Sequence, residues 1–144
     1  MFFHHQKNNM KNKIPTILLV GVGRFGERHL ETLKMLENKK KLSIAGAVVA
    51  TTKTQKRIAQ KYNIPVWTEI TDELLKQVDA VDIVTPPETH FEIAMKCLPF
   101  VDVMIEKPMA MTIEECDEIE KVVNKSGIKL HVGFRLRFAV FGRE

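Results

Sequence analysis

Cysteine is scarce in this chain, and the two present, Cys97 and Cys116, stand far apart without C-x-x-C or metal-ligand spacing. That excludes a disulfide framework or a cysteine-built metal site and suits buried thiols in a reducing, cytoplasmic compartment. Aromatic residues are also thin, with one Trp and one Tyr. No basic run is interleaved with them, so the usual footprint of a nucleic-acid binder is missing. No stretch approaches the ~20 apolar residues that a membrane span requires. The opening segment MFFHHQKNNMKNKIP has no apolar core of the kind a secretion signal carries. His4 and His5 lie in that polar tail and are assigned no role. The expectation is a soluble cytoplasmic protein with neither nucleic acid nor membrane as partner.

What is there fits one domain. The chain has 144 residues, without internal repeats or low-complexity tracts, a length that can bury a sizeable core. Its formal charge of +4 is mildly basic, and the one tight cluster, Lys39 to Lys41, falls at a helix-to-strand turn and reads as a solvated loop.

The most informative stretch is Thr16 to His29, TILLVGVGRFGERH. Ile17 to Val20 is a strand-forming apolar run without alternation, as in a strand buried on both faces of a parallel sheet. Gly21, Gly23 and Gly26 follow with G-x-G-x-x-G spacing and open a helical pattern. In that context Gly21 permits a tight turn, Gly23 lets backbone approach a pyrophosphate, and Gly26 lets the helix lie close on the strand. Arg24 and Phe25 sit inside the same turn and count as cofactor-site candidates. The helix N-terminus offers N–H groups and partial positive charge to an anion. Glycines at this spacing also occur in ordinary turns; the flanking strand and helix favour a dinucleotide.

Strand and helix patterns then alternate. A helix over Arg24 to Leu36 turns Phe25, Leu30, Leu33 and Leu36 inward, with Glu27, Glu31 and Lys34 on its other side. Strand patterns follow at Leu42 to Ala50, Val66–Trp67, Val81 to Thr85, Val101 to Ile105 and Lys129 to Phe134. Between them lie helices over Lys53 to Tyr62, Glu73 to Val78 after Thr71 or Asp72, Thr89 to Leu98, and from Thr112 to a stop at Ser126–Gly127. Thr89 with Glu92, and Thr112 with Glu115, have capping-box spacing. This rhythm predicts an α/β fold, a doubly wound parallel sheet of Rossmann type with strand order 3-2-1-4-5-6. Ligands in such sheets bind outside the carboxyl ends of the strands where the order reverses. The glycine turn, Ala50 to Lys53, Thr85 to Pro87 and Glu106 to Pro108 then share one rim.

Each rim segment carries its own chemistry. A site preferring NAD usually has an acid ~20 residues beyond the glycines to hold the ribose 2′-hydroxyl. Here the corresponding residues are Ala50, Thr51, Thr52 and Lys53, with Arg57 a turn further on. Two hydroxyls and an ammonium suit a 2′-phosphate, so the reading leans to NADP, with NAD as the alternative. The missing acid also argues against an S-adenosylmethionine site. Thr85, Pro86 and Pro87 form a stiff rim, either beside a nicotinamide or as a turn that topology alone demands. His90 can titrate near neutrality, or simply pack in the first helical turn. Lys107, at the end of a central strand, can hold a substrate oxygen or donate a proton. Glu106 could pair with it or with the ribose, and Pro108 can stiffen the turn, through a cis bond or otherwise.

Several motifs occur together in an order that resembles one family: GVGRFGERH at Gly21 to His29, AVDIVTPPETHFEIAMKCL at Ala80 to Leu98, EKPMAMTIEE at Glu106 to Glu115, and HVGFRLRF at His131 to Phe138. The chain resembles the N-terminal half of the glucose-fructose oxidoreductase, inositol dehydrogenase and rhizopine-catabolism family of NAD(P)-dependent oxidoreductases. The resemblance covers about Ile14 to Phe138. It implies a Rossmann domain whose glycines hold the pyrophosphate, whose Pro-Pro rim and His90 lie near the nicotinamide, and whose Lys107 is catalytic. It implies hydride transfer to or from a hydroxyl or carbonyl carbon of a sugar, polyol or related small molecule.

Two features depart from the family pattern: the acid at the end of strand two is absent, and Val140 stands where Pro is usual. Family members continue into an α+β domain that supplies most substrate contacts. The expectation is therefore a disordered tail over 1–13, a dinucleotide-binding domain over 14–136, and a link over 137–144 to a second domain absent from this chain, which would bind cofactor but turn over poorly. A non-catalytic nucleotide-sensing or interaction module is the competing expectation. Phe134, Phe138, Val140 and Phe141 would leave an apolar end suited to a further domain or to self-association.

Overall fold

A computed structural model of the protein describes residues 13–133. The tail, apart from residue 13, and the C-terminal residues Phe134, Arg137, Phe138, Val140 and Phe141 lie outside the described residues. Strands β1 (Thr16–Val20), β2 (Ser43–Val48), β3 (Val66–Trp67), β4 (Ala80–Ile83), β5 (Asp102–Glu106) and β6 (Leu130–Gly133) alternate with helices. The helices are α1 (Arg24–Asn38), α2 (Thr52–Tyr62), α3 (Asp72–Leu75), α4 (His90–Cys97) and α5 (Ile113–Ser126). The strands form one sheet in the order β3-β2-β1-β4-β5-β6, with every pair parallel. This is the doubly wound order expected from the glycine motif and the alternation.

The register explains why the rim converges. Val20 at the end of β1 pairs with Val48 of β2 and with Ile83 of β4. Ile83 pairs with Ile105, and Glu106 with Gly133. The carboxyl ends of the strands therefore finish level with one another, and the turns that leave them meet over one crevice between β1 and β4.

Apolar residues pack both faces of the sheet. On one, Leu19, Ala47 and Val49 meet Leu30 and Leu33 of α1 and Ile58 of α2. On the other, Leu18, Val81, Ile83, Val103 and Ile105 meet Leu74 and Leu75 of α3, Ala94 and Cys97 of α4, and Ile119 of α5. Cys97 is fully buried, and that burial pushes its thiol up to about 12, which makes it an inert packing group. Both cysteines are free thiols. No helix among the described residues is long and apolar enough to cross a membrane.

Threonine hydroxyls start three helices. Thr51, Thr71 and Thr112 each accept a hydrogen bond from the backbone N–H three residues on. The capping box expected at Thr89 does not form. Pro86 and Pro87 bring the chain into a 3-10 turn over Pro87–Thr89 before α4 begins. Thr89 Oγ1 instead lies 2.8 Å from both Thr85 Oγ1 and the Pro86 carbonyl oxygen. The third helix is also shorter than expected, because after Leu75 the chain tightens into bonds from Gln77 to Leu74 and from Val78 to Leu75.

Leu30 and Ile105 are fully buried, whereas Ile14 is 47% exposed. Leu30→Ala or Ile105→Ala should each cost about 2–5 kcal/mol of stability, and Ile14→Ala less than about 0.5 kcal/mol, as read from denaturant midpoints.

Candidate functional site

The turn after β1 has the shape that glycine allows. Gly21 adopts φ +92°, and a Cβ there would lie 2.7 Å from the Val84 carbonyl oxygen. A Cβ on Gly26 would lie 2.2 Å from the Gly21 oxygen, so α1 can lie this close to the turn only with glycine at that position. At Gly23 a Cβ would meet nothing within 4 Å, so the backbone there is open to an approaching group. Gly23 is also the N-cap of α1 and supplies no side-chain hydrogen bond. The N-terminus of α1 thus carries no side-chain cap, as suits a turn that receives a pyrophosphate.

The crevice contains two adjoining cavities. The larger, of about 790 Å³, is lined by Gly21, Gly23, Arg24, Phe25, Gly26, Thr85 and Pro86. Its walls include residues that sequence reasoning missed: Thr54 on α2, Thr68 to Ile70 after β3, and Glu92, Ile93 and Lys96 on α4. Counted from Thr89, which lines the same wall, the α4 residues fall at i+3, i+4 and i+7, a stripe that could have signalled the group although it also reads as ordinary helix surface. The smaller cavity, of about 290 Å³, is lined by Phe25, Thr85, Pro87, His90, Glu106 and Lys107. Phe25 and Thr85 belong to both.

Thr51, Thr52 and Lys53 line neither cavity, although their neighbours Ala50 and Thr54 do. All three are exposed at the N-terminus of α2, where the Thr51 hydroxyl serves as the helix cap. Arg57 is engaged elsewhere, in an ion pair with Glu27 of α1 that Lys61 joins at 3.2 Å. Hydrogen bonding to Arg57, then to Lys61, holds the Glu27 carboxyl below its ordinary value.

His90 is not at the surface. It is completely buried, with Nδ1 2.6 Å from the Pro108 oxygen and Nε2 2.9 Å from the Thr85 oxygen. The ring therefore ties the turn after β5 to the turn after β4. The Lys107–Pro108 bond is cis. Lys107 is exposed on the rim of the smaller cavity.

Among the described residues Glu106 pairs with His29 and not with Lys107. Its Oε1 lies 3.2 Å from His29 Nε2, while His29 Nδ1 lies 2.8 Å from Oδ2 of Asp82. His29 sits on α1 and Asp82 on β4, so one imidazole bridges carboxylates from two neighbouring strands. The side chains of His29, Asp82 and Glu106 are 16%, 8% and 15% exposed, which shields the group from solvent. Phe25 packs edge-on against His29 with ring centroids 5.1 Å apart. The hydrogen bond to Asp82 raises the His29 pKa above the ordinary 6.5; desolvation opposes this, and the charges of Asp82 and Glu106 add to it. An isolated carboxylate inside the strand run VDIVT could have singled out Asp82, but it names neither His29 nor Glu106 as its partner.

A sheet reversing order beside a glycine turn, with a helix N-terminus that has no side-chain cap and lines the crevice, defines a dinucleotide-binding Rossmann domain. Comparison with known proteins agrees: a family model described as "Oxidoreductase family, NAD-binding Rossmann fold" matches residues 16–134. The chain belongs to that family, the glucose-fructose oxidoreductase, inositol dehydrogenase and rhizopine-catabolism group, whose cofactor class is NAD(P).

Among its relatives is scyllo-inositol 2-dehydrogenase (NAD(+)) of Bacillus subtilis, 31% identical over 83% of this chain and 35% of the relative. Inositol 2-dehydrogenase of Rhizobium meliloti is also 31% identical, over 83% of this chain and 36% of its own length. In structure, UDP-N-acetylglucosamine 3-dehydrogenase from Acidithiobacillus ferrooxidans superposes with a TM-score of 0.81 at 26% identity, over 92% of this chain and 41% of that one. The chain thus spans little more than a third of the length of these curated relatives.

Because the His29 pKa is raised on folding, its stabilising contribution is complete below pH 6.5 and is lost as pH rises through the folded-state value. Melting temperatures of the unmodified chain and of His29→Gln, compared from about pH 5.5 to about pH 9, should show an advantage for histidine that shrinks with rising pH. An advantage that grows with pH would contradict this assignment.

Proposed function

We propose that this chain is the cofactor-binding domain of a cytoplasmic oxidoreductase that passes hydride between a nicotinamide and a hydroxyl or carbonyl carbon of a sugar, polyol or related small molecule. The observation that carries this reading is that the glycine turn, open at Gly23, and Lys107 face adjoining cavities joined by Phe25 and Thr85. Residues 14–136 form the dinucleotide-binding domain in this reading. The free thiols are consistent with a reducing compartment.

In this assignment Gly21, Gly23 and Gly26, with the backbone of Arg24 and Phe25, hold the pyrophosphate through α1's first turn. Thr85, Pro86 and Pro87 shape the wall beside the nicotinamide, and His90 keeps that wall fixed to the turn bearing Lys107. Bound dinucleotide supplies the hydride acceptor or donor. Lys107 meets the reacting oxygen of the substrate, holding it and exchanging a proton there. Hydride transfer needs the substrate within ~3.5 Å of the nicotinamide. The described residues are assigned cofactor binding and the lysine; they span little more than a third of the relatives' length.

NADP is the preferred form in this reading. The end of β2 carries no carboxylate, and Thr52 and Lys53 stand exposed at the N-terminus of α2, between Ala50 and Thr54, which line the larger cavity. Arg57 is held by Glu27, so recognition of a 2′-phosphate falls to Lys53. Fluorescence titration should show NADPH binding about tenfold more tightly than NADH, and Lys53→Glu should abolish that difference, a change of about 1.4 kcal/mol. Equal affinities would remove the NADP preference, and failure to bind either dinucleotide would overturn the function.

A further inference from the structure

Glu106 and Lys107 are neighbours in sequence with opposite charges, and both line the smaller cavity. At the end of a strand such a pair can close on itself and neutralise the lysine. It does not do so here. Among the described residues Lys107 makes no ion pair, whereas Glu106 is engaged by His29 at 3.2 Å. His29 is itself anchored on Asp82 at 2.8 Å, and Asp82 is 6% exposed in the middle of the sheet. The second Asp82 oxygen, Oδ1, is buried without a hydrogen-bond partner, so the His29 contact is the one that compensates this carboxylate. Strand β6 makes room for the arrangement. A Cβ at Gly133 would lie 3.0 Å from Glu106 Oε1, which places the Glu106 carboxylate against the β6 backbone.

We propose that His29 is a positioning residue for Lys107: anchored on Asp82, it holds the Glu106 carboxylate and so leaves the neighbouring ammonium without a counter-ion among the described residues, free to meet a substrate oxygen. Two carboxylates beside one imidazole leave the Asp82, His29 and Glu106 group with a surplus of negative charge even when the ring is protonated. Without His29, Glu106 would face Asp82 with no cation between them, and among the described residues Lys107 is the cation that lines the same small cavity as Glu106. Phe25 gives the same unit a second contact. It packs on His29 and lines both cavities, so the helix that receives the pyrophosphate also carries the residue that orders the lysine turn.

The role rests on the reading of Lys107 as the group that meets the substrate, but its test needs neither dinucleotide nor substrate, so the two can fail separately. The chain is labelled with a limiting amount of an amine-acylating reagent, and peptide mass spectrometry gives the rate at Lys107 relative to the exposed Lys121 of α5. His29→Gln should slow Lys107 severalfold, because Glu106 then pairs with it. Glu106→Gln alone should leave the rate at the unmodified value, and the double variant should restore it. A histidine that merely packs would not give that rescue. An unchanged Lys107 rate in His29→Gln, or a loss that Glu106→Gln does not restore, overturns the role. Should His29→Gln fail to fold by circular dichroism, nitrogen NMR of the unmodified chain decides. Both His29 ring nitrogens should carry slowly exchanging protons at about pH 6. A rapidly exchanging or unprotonated Nε2 would overturn the contact to Glu106.

Discussion

Everything at the site depends on how closely α1 approaches the turn that precedes it. The Gly21 oxygen occupies the space where a side chain on residue 26 would begin, and the Val84 oxygen does the same for residue 21. This contact fixes where α1 starts. Its first turn then lines the crevice with Arg24, Phe25 and Gly26, and its next turn carries His29 across to β4 and β5. A longer side chain at either glycine would push the helix away and separate the anion-binding end from the rest of the crevice.

The level ends of the strands turn that local contact into a site. Because Val20, Val48, Ile83 and Ile105 lie in register, the segments carrying Ala50, Thr85 and Lys107 leave the sheet at the same height. Polar contacts then join the segments to each other. His90 ties the Thr85 turn to the Pro108 turn, and His29 ties α1 to β4 and β5. Glu27 draws α2 toward α1 through Arg57 and Lys61. The two histidines thus do different work on the same rim: one is completely buried between carbonyl oxygens, and the other is paired with acids.

Much of this was legible in the sequence, for physical reasons. Apolar runs without alternation announce strands buried on two faces, and a glycine turn after the first of them restricts the order of the sheet. The threonine caps at Thr71 and Thr112 are local signals and could be read locally, whereas Thr51, read as a phosphate-binding candidate, caps α2. The polar network was not legible, because His29, Asp82 and Glu106 come from three elements separated by long stretches of chain, and nothing local marks their meeting. The same distance hid the pairing of Glu27 with Arg57. His90 was legible as a first-turn histidine but not as a buried one, since its partners are backbone oxygens that leave no trace in residue identity. The missing cap at Thr89 shows a local signal overruled by a stronger neighbour, the pair Pro86–Pro87, which starts the turn one step early.

Backbone amide shifts in nitrogen–proton NMR spectra, followed as NADH or NADPH is added to the chain, test the central claim most directly. The account predicts shifts concentrated at Gly21 to Gly26 and at Thr85, with a smaller response at Glu106 and Lys107. Shifts absent from the glycine turn, or confined to the far surface formed by Glu31, Met35 and Tyr62, would contradict it.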